Sequence, residues 1–354
     1  MKVLFLIPYP SGTAASQRFR FEQYLPFLKE NGIDYTVSSF WDQKAWDILY
    51  KKGVVLGKAL ATLRGVLRRY ALLFTAFKYD RIFIHRELYP VGPQFVEFVL
   101  AKVYGKKIIF DFDDSIWLPN YAANNAKFAF VKSYGHVKKL CKYAYKLSVG
   151  NEFLAAYGRK YNSNVVINPT TIDTENYHNR IKDQNTKEFI IGWTGTHSTL
   201  RYLEEMLPVF ERLEKEFDFK LVIISDKNPE FTLKSFEFVK WQKETEIDDL
   251  LRFNIGLMPL TFDKWANGKC GFKALQYMSL GVPAIVSPVG VNTDIVEHGM
   301  NGYVCDTAEE WEASLRAVLS DKDKVKMVAQ NSRKKIEDYY SVKSNKDNFM
   351  QLFD

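Results

Sequence analysis

With 354 residues, 47% hydrophobic content and a formal net charge of +7, the chain can form two domains with a sizeable core, and its charge favours phosphorylated substrates or anionic lipids. It has no recognised nucleic-acid motif or basic tail, which disfavours nucleic acid as a partner, and no apolar stretch near the roughly 20 residues that span a bilayer. Its three cysteines are far apart and odd in number, which argues against disulfides and for a reducing compartment. Their spacing does not suggest zinc, and no signal peptide is visible, so we expect a cytoplasmic protein.

In the first half of the chain, apolar runs typical of buried strands alternate with amphipathic helical patterns. Strands are predicted at 2–8, 34–38, 80–85, 107–111, 147–149 and 165–167, and helices at 16–31, 43–78 and 92–104. Alternation of this kind predicts a parallel sheet covered by helices on both faces.

Residues 174–187 are polar, carry few apolar anchors and are predicted to form an interdomain linker. The alternation then restarts. Strands are predicted at 189–193, 220–225, 236–241, 255–259 and 284–287, and helices at 199–217, 247–252, 272–280, 308–319, 322–339 and about 344–353. We therefore predict an α/β protein of two Rossmann-like, doubly wound domains, residues 1–173 and 188–340, that face a cleft.

The most informative stretch is 265–302, WANGKCGFKALQYMSLGVPAIVSPVGVNTDIVEHGMNG. Gly268 and Lys269 precede an amphipathic helix, a buried strand follows it, and Gly290 marks a glycine turn. Backbone N–H groups at a helix N-terminus, with a lysine beside them, make a phosphate site. A helix, a parallel strand and a glycine loop place that site at the C-terminal edge of a doubly wound sheet, where such folds bind ligands.

This stretch, with FNIGLMPL at 253–260 before it, resembles the nucleotide-sugar-binding segment of GT-B glycosyltransferases, in particular family 4 retaining enzymes of a bacterial surface-polysaccharide type. The resemblance extends over nearly the whole chain through GWTGTHSTLRYL, IIFDFDDSIW, SQRFRFEQYLPFL and VGNEFLAAY. It implies a GT-B fold in which the first domain binds the acceptor, the second binds the donor, and residues 341–354 pack back on the first.

The resemblance also implies an activity: transfer of a sugar from a nucleoside diphosphate to a hydroxyl of a glycan or lipid-linked acceptor, with no metal and no other cofactor. The setting would be synthesis of cell-surface polysaccharide or lipopolysaccharide. Two other interpretations remain open, a sugar-nucleotide epimerase of the same fold and a non-catalytic sugar-nucleotide-binding partner of another transferase. The acid/base pair expected of the epimerase is not recognisable in the sequence.

Family 4 enzymes commonly carry two glutamates, one for the donor sugar and one for the ribose, at positions that here hold Gly268 and Gln276. Gln276 can still hydrogen-bond a ribose hydroxyl. Lys269 is predicted to bind the leaving pyrophosphate, and Lys273 is either a second phosphate contact or part of the polar helix face. The predicted donor-binding set is Gly195, Thr196, His197, Arg201, Gly268, Lys269, Phe272, Lys273, Gln276 and Gly290.

The sequence DFDD contains a D-x-D pattern, Asp111 and Asp113, whose carboxylates could hold a divalent ion. The pattern follows a buried strand of the first of two predicted domains, however, so we predict no metal site. Asp113 and Asp114 are instead predicted to orient substrate hydroxyls and to act in catalysis together with Lys269. An N-cap at Asp114 or Ser115 is the structural alternative.

Acceptor-binding residues are predicted where strands of the first domain end. The set is Gly12, Arg18, Arg20, Arg86, Glu87, Asn151 and Glu152. Arginines there could pair with an acceptor phosphate in bidentate geometry or be ordinary surface residues. Arg18 and Arg20 are two apart, so both cannot point the same way on a helix.

The segment 58–74 is amphipathic and cationic, with Lys58, Arg64, Arg68 and Arg69 beside leucines. Helices of this composition dock on anionic membrane surfaces. More often, an amphipathic helix packs its apolar face on its own domain. We expect a cytoplasmic protein that associates reversibly with the inner membrane face.

Overall fold

The computed structural model of the protein describes residues 1–49, 51, 53–90, 95–118 and 135–354. The chain divides into two compact units, residues 1–170 with 346–354, and residues 171–345. Each unit is built on a parallel sheet in which six strands are described. The predicted α/β class and the two doubly wound sheets are therefore confirmed.

The first sheet has the strand order β2-β1-β3-β4-β5-β6. Its strands are β1 (Lys2–Ile7), β2 (Asp34–Ser39), β3 (Arg81–His85), β4 (Lys107–Phe112), β5 (Lys146–Val149) and β6 (Val165–Ile167). Strand β1 is an unbroken apolar run that is buried from Val3 to Ile7, as expected for a parallel strand covered on both faces. The order reverses between β1 and β3, and the carboxyl ends of such a pair are where doubly wound sheets bind ligands.

Seven α-helices of the described residues belong to this sheet's half of the chain: α1 (Ala15–Arg20), α2 (Leu25–Glu30), α3 (Gln43–Leu49), α4 (Val55–Ala71), α5 (Phe95–Phe98), α6 (Gly135–Tyr143) and α7 (Glu152–Arg159). The predicted helix 16–31 is thus two helices, because Pro26 begins α2 after a short 3-10 turn. Residues 92–94 of the predicted helix 92–104 lie outside the described residues, and α5 continues as π-helix from Val99 to Val103.

The second sheet has the order β12-β11-β10-β7-β8-β9. Its strands are β7 (Ile190–Gly195), β8 (Lys220–Ser225), β9 (Phe236–Lys240), β10 (Ile255–Met258), β11 (Ala284–Val286) and β12 (Gly302–Val304). Its helices are α8 (Arg201–Glu204), α9 (Leu207–Leu213), α10 (Glu246–Leu250), α11 (Phe272–Ser279), α12 (Asn292–Ile295), α13 (Ala308–Ser320) and α14 (Lys322–Lys335). Here the strand order reverses between β7 and β10, so a ligand is expected at their carboxyl ends.

Two helices of the second unit differ from the prediction. The predicted helix 199–217 is divided into α8 and α9, because Pro208 starts a new helix. Helix α14 passes into π-helix at Ile336. No helix within the described parts of the chain is long and apolar enough to cross a membrane.

The last helix, α15 (Lys346–Met350), belongs to the first unit. The ring of Phe349 stacks on Tyr24 with centroids 4.2 Å apart, and the amine of Lys146 donates to the carbonyl oxygen of Gln351. These contacts attach the C-terminal residues to the core of the first unit.

The segment 174–187, predicted to be a linker, lies within the second unit. Arg333 is buried and donates to the carbonyl oxygen of His178 at 2.7 Å, and the side-chain amide of Gln184 donates to the carbonyl oxygen of Gly281 at 3.0 Å. The polar composition thus indicates an absence of helix and strand, and hydrogen bonds of both backbone and side-chain groups hold the segment on the second unit.

Candidate functional site

Glycines on the two central strands of the second sheet bring helix α11 against the point where the strand order reverses. A Cβ on Gly256 would lie 2.3 Å from the ring of Tyr277, and one on Gly192 would lie 2.2 Å from the ring of Phe253. The Tyr277 hydroxyl then accepts a hydrogen bond of 2.9 Å from the backbone N–H of Thr194. Helix α11 is therefore fixed to the end of β7, at the edge where a ligand is expected.

Two lysines come together at this edge. The amine of Lys273 lies 4.8 Å from the ring centroid of Trp193, in cation–π geometry. Burial, and then the positive charge of Lys269, lower the pKa of Lys273 to about 7. A bound anion would relieve the repulsion between the lysines and compensate for the burial, as a phosphate group does in its binding sites.

Lys269 does not form the first turn of α11, because its backbone is extended. The helix begins after Gly271, which has φ +68°. A Cβ on Gly271 would lie 2.2 Å from Cδ1 of Ile295, so both backbone conformation and space require glycine there. This glycine, which sequence reasoning did not single out, sets the direction from which Lys269 approaches the helix.

The loop after β7 carries the predicted donor residues Gly195 and Thr196. A Cβ on Gly195 would lie 2.5 Å from the ring of Trp193, so the loop folds tightly over the ring beside Lys273. The hydroxyl of Thr196 lies 2.8 Å from that of Ser198, and both side chains are exposed. The loop is thus shaped by glycine and presents hydroxyl groups to solvent.

His197 and Arg201 have partners of their own within the second unit. The backbone N–H and the Nδ1 of His197 lie 2.7 and 2.6 Å from the two carboxylate oxygens of Asp226. Burial alone would raise the pKa of Asp226, but the hydrogen bonds from His197 outweigh it and lower the pKa. Arg201 donates to the hydroxyl of Tyr202 at 2.9 Å. The sequence did not indicate Asp226, which follows β8, as the partner of His197, because the two residues are 29 positions apart.

The remaining predicted donor residues surround α11. Gly290 has φ +59°, and a Cβ there would lie 3.0 Å from the carbonyl oxygen of Asn267, so its turn packs closely on the turn that contains buried Gly268. Phe272 is the first residue of α11 and is half-buried. Gln276 is 2% exposed, and its Nε2 has no hydrogen-bond partner among the described residues. It follows Lys273 by one helical turn, on the same face.

In the first unit, Arg86 and Asp113 form an ion pair where β3 and β4 end. The Nε of Arg86 donates to Asp113 at 2.7 Å, and its backbone has φ +60°, which is uncommon for a residue with a side chain. Burial alone would raise the pKa of Asp113, but the positive charge of Arg86 outweighs it and lowers the pKa. The carboxylate of Asp113 is therefore ionised and held in one orientation.

Asp114 is half-buried, and its carboxylate accepts the backbone N–H of Ser115 at 2.9 Å. The next residues, 116–118, form a turn rather than a helix. Within the described residues, therefore, Asp114 does not act as the helix N-cap considered from the sequence.

The prediction that Arg20 binds an acceptor is wrong. Its side chain and that of Asp111 are both fully buried and form an ion pair. Asp111 also lies 2.8 Å from Nδ1 of His85 and accepts from the hydroxyl of Ser148 at 2.6 Å. Burial alone would raise the pKa of Asp111, but Arg20 and His85 lower it well below its usual range. Arg20 therefore joins α1 to strands β3, β4 and β5 and is not accessible to a substrate.

Asn151 is also structural. It is 3% exposed, and its side chain accepts the backbone N–H of Leu154 at 2.9 Å as the N-cap of α7. The adjacent Glu152 is exposed and pairs with Arg159 on the same helix. Both predicted acceptor residues therefore have partners on α7 itself.

Gly12, Arg18 and Glu87 occupy the same edge of the first sheet. Gly12 has φ +76°, and its N–H donates to the carboxylate of Glu22 at 2.8 Å. Burial raises the pKa of Glu22, a residue that the sequence did not single out. Arg18 is half-buried with its guanidinium 4.9 Å from the ring of Phe19, and Glu87 is half-buried beside Arg86.

The carboxylates of the D-x-D pattern have basic partners in the described part of the chain. No group of three or more His, Cys, Asp or Glu side chains there is placed to hold a metal ion. Asp111 and Asp113 are engaged instead with Arg20 and Arg86.

Comparison with known proteins finds a family similarity in the second unit. Residues 188–321, which include both lysines, match the family model described as Glycosyl transferases group 1. N-acetyl-alpha-D-glucosaminyl L-malate synthase of Bacillus anthracis is 24% identical over 186 residues, a match that covers 47% of this chain and 47% of that protein. The chain thus matches about half the length of this curated relative.

Solved structures resemble the protein over its whole length. Sucrose-phosphate synthase from Thermosynechococcus elongatus is 13% identical with a TM-score of 0.71, and the match covers 100% of this chain and 98% of that one. HepE from Anabaena, in complex with UDP and glucose, is 13% identical with a TM-score of 0.64 and coverage of 100% and 99%. The protein therefore has the GT-B fold that was predicted, and its residues 188–321 are similar to the glycosyl transferases group 1 family.

Proposed function

We propose that this protein is a retaining glycosyltransferase that moves a sugar from a nucleoside diphosphate to a hydroxyl group of an acceptor. The observation that carries the proposal is that Lys273, which lies over the ring of Trp193, is close enough to Lys269 for the charge of Lys269 to lower its pKa, at the reversal point of the second sheet. This edge lies within the segment that matches the group 1 model. The presence of UDP and glucose in the HepE structure, which shares the fold, supports a donor of this class.

The lysine pair fits the charge that develops during transfer. As the bond between the sugar and the diphosphate breaks, negative charge accumulates on the leaving diphosphate. Lys269 and Lys273 stabilise that charge in a partly buried setting, where preorganised cations are most effective. The glycines at 195 and 290 let the loops beside this site pack closely on Trp193 and on the turn at Asn267, because neither position carries a Cβ.

The two positions expected to contact the donor sugar and the ribose, Gly268 and Gln276, are uncharged, whereas family 4 enzymes commonly carry glutamates there. Gln276 provides an amide whose Nε2 has no partner among the described residues, and it is suited to a ribose hydroxyl because an amide both donates and accepts. Gly268 offers only its backbone to the sugar. The donor is therefore bound through its phosphates and ribose, with the carboxylates common in family 4 absent from both positions.

The first unit provides the acceptor side. Asp113, held by Arg86, and Asp114 orient acceptor or donor hydroxyls. Retention without a side-chain nucleophile requires front-face substitution. In that step the acceptor oxygen bonds to the anomeric carbon on the face from which the diphosphate departs, and the acceptor proton passes to the departing diphosphate. The scheme uses no metal ion.

The acceptor is proposed to be a glycan or a lipid-linked sugar of cell-surface polysaccharide or lipopolysaccharide synthesis. The protein would then act in the cytoplasm, where nucleotide sugars are available. The gene neighbourhood tests this setting, since genes of capsule or O-antigen synthesis beside this one would support it.

One observation favours a second candidate, a donor-binding partner without activity of its own: neither Gly268 nor Gln276 carries a carboxylate.

Turnover of labelled nucleotide sugars, with and without glycan acceptors, separates the possibilities. Diphosphate release that requires acceptor supports transfer, and an epimer formed without acceptor supports an epimerase. Binding without turnover supports the partner role. The double variant Lys269→Met, Lys273→Met should lose turnover, whereas Lys322→Met, at an exposed lysine of α14, should not.

A further inference from the structure

Helix α4 turns its small residues inward and its leucines outward. A Cβ on Gly65 would lie 2.7 Å from the ring of Phe40, and one on Gly57 would lie 3.2 Å from Cδ1 of Ile48. Ala61, between these glycines, is 3% exposed. The helix therefore approaches the domain through glycine and alanine, which overturns the expectation that its apolar side packs on its own domain.

The opposite side of α4 is apolar and open to solvent. Four leucines at spacings of four, three and four residues lie along one helix face and form what we call the leucine stripe. Their exposed fractions are 75% for Leu56, 53% for Leu60, 54% for Leu63 and 59% for Leu67. The stripe is about 16 Å long at 1.5 Å per residue. Phe74 and Phe77, 80% and 68% exposed, follow it in the chain. Contiguous exposed apolar surface of this kind marks an interaction site.

The chemistry of the partner follows from the charge around the stripe. Residues 48–79 contain no aspartate or glutamate and seven lysines and arginines. Of these cations, the Arg64 side chain is 54% exposed and lies 4.0 Å from the carboxylate of Asp42, and Lys78 is exposed. Lys58 is seven residues before Gly65, so it lies on the side of the helix that packs on the domain. An apolar stripe on a segment that contains cations and no acid is complementary to an anionic lipid surface.

Two arginines of this segment serve the fold instead. Arg69 is fully buried and donates to the carbonyl oxygens of Ile7 and Leu88, and Arg68 donates to the carbonyl oxygen of Ser39 at 2.8 Å. They fix α4 to the sheet, so the helix presents only one side. Of the four cations that the sequence placed on this helix, Arg68 and Arg69 therefore hold the helix on the domain, whereas Arg64 remains at the surface.

We propose that the leucine stripe docks α4 flat on an anionic lipid surface, with its leucines among the acyl chains and with Arg64 and Lys78 at the headgroups. A second copy of the chain fits less well. A two-fold interface places the same patch on both sides, so the cations of one stripe would meet those of the other. The proposal deepens the proposed function, since it places a lipid-linked acceptor at the same surface, but it depends only on the first unit.

Flotation of the full chain with vesicles tests the proposal. We expect binding to equal mixtures of phosphatidylglycerol and phosphatidylcholine at low salt, with little binding to pure phosphatidylcholine. The variant Leu60→Ser, Leu63→Ser should weaken binding at least about tenfold, because it removes two inserting side chains. Arg64→Gln should weaken it about fivefold, the effect of one headgroup charge.

Matched controls lie on the second unit. Met327 is 53% exposed, as Leu60 is. The control variants Met327→Ser and Lys334→Gln should both bind vesicles as the unchanged protein does. Thermal unfolding and UDP affinity should be unchanged in the leucine variant, which separates a failure of docking from a failure of the donor site. The proposal is overturned if the protein ignores anionic vesicles at low salt, if the leucine variant binds them fully, or if that variant instead dissociates a dimer.

Discussion

The affinity of the donor site for a diphosphate should depend on pH through Lys273. In the protein without ligand, burial and then the charge of Lys269 lower the pKa of Lys273 to about 7. A diphosphate placed against the two lysines adds opposite charge, which raises the pKa toward its ordinary value of about 10.4. The ligand therefore binds the protonated form of Lys273 in preference to the neutral form.

The size of the effect follows from this difference in pKa. Below pH 7 the lysine is protonated before and after binding, so the Kd is constant. Above pH 7 binding must take up a proton, and the Kd rises toward tenfold for each pH unit. Between pH 7 and pH 8.5 the Kd should rise roughly fifteenfold.

Folding is linked to the same group. A lysine whose pKa is lowered on folding destabilises the folded state most below pH 7, where both states are protonated, and the penalty fades as pH rises toward 10. Lys273→Met should therefore be more stable than the natural protein, with the largest gain below pH 7. The same variant should bind the diphosphate weakly at every pH.

Calorimetry with UDP between pH 7 and 9 can measure this dependence, since the terminal phosphate, with a second pKa of about 6, is already ionised there. Titrations in buffers of different ionisation enthalpy count the protons taken up. Lys273→Arg is the matched control, because arginine stays charged and its Kd should not change over this range. A flat Kd for the natural protein, together with unaltered binding by Lys273→Met, would refute the reasoning.

Three further predictions concern the two units separately. Lys269→Ala should fold normally and lose transfer activity by about 10²–10³, the usual effect of removing one preorganised charge; near-normal turnover in steady-state assays would contradict the role given to it. Turnover should persist in excess EDTA, and loss of activity that manganese restores would return Asp113 to a metal site. Arg20→Met should lower the free energy of unfolding by about 3–5 kcal/mol in urea titrations, because it leaves Asp111 buried without its partner, while UDP affinity stays unchanged. Because the pKa of Asp111 is held low in the fold, the natural pair stabilises the protein above about pH 4 and ceases to do so as pH falls through the lowered pKa.

Sequence reasoning succeeded where the structural signal is local. Continuous apolar runs such as that of β1 are typical of parallel strands covered on both faces, and their alternation with helical patterns indicated the fold class. The glycines at 195 and 290 mark positions where backbones approach closely, which the contacts with Trp193 and Asn267 explain. Lys269 and Lys273 are four residues apart, and a helix starting between them brings both to one edge.

Reasoning from the sequence failed where a residue's role depends on a partner far along the chain. Arg20 is 91 residues from Asp111, and His197 is 29 residues from Asp226, so nothing near either residue in the sequence indicates its partner. Helix breaks at Pro26 and Pro208 were missed for a different reason. Apolar periodicity continues across both prolines, because the following helix buries the same side of the chain.

Helix α4 shows why amphipathicity alone cannot tell an inward face from an outward one. A pattern of leucines on one side and small residues on the other fits two arrangements equally well until the neighbouring surface is known. Here that surface is the ring of Phe40, which leaves no room for a Cβ at Gly65, together with backbone carbonyls that accept hydrogen bonds from Arg69. Both features require the small-residue side to face the sheet. The leucines are then exposed as a consequence of close packing on the opposite side, and any partner that covers them must come from outside the domain.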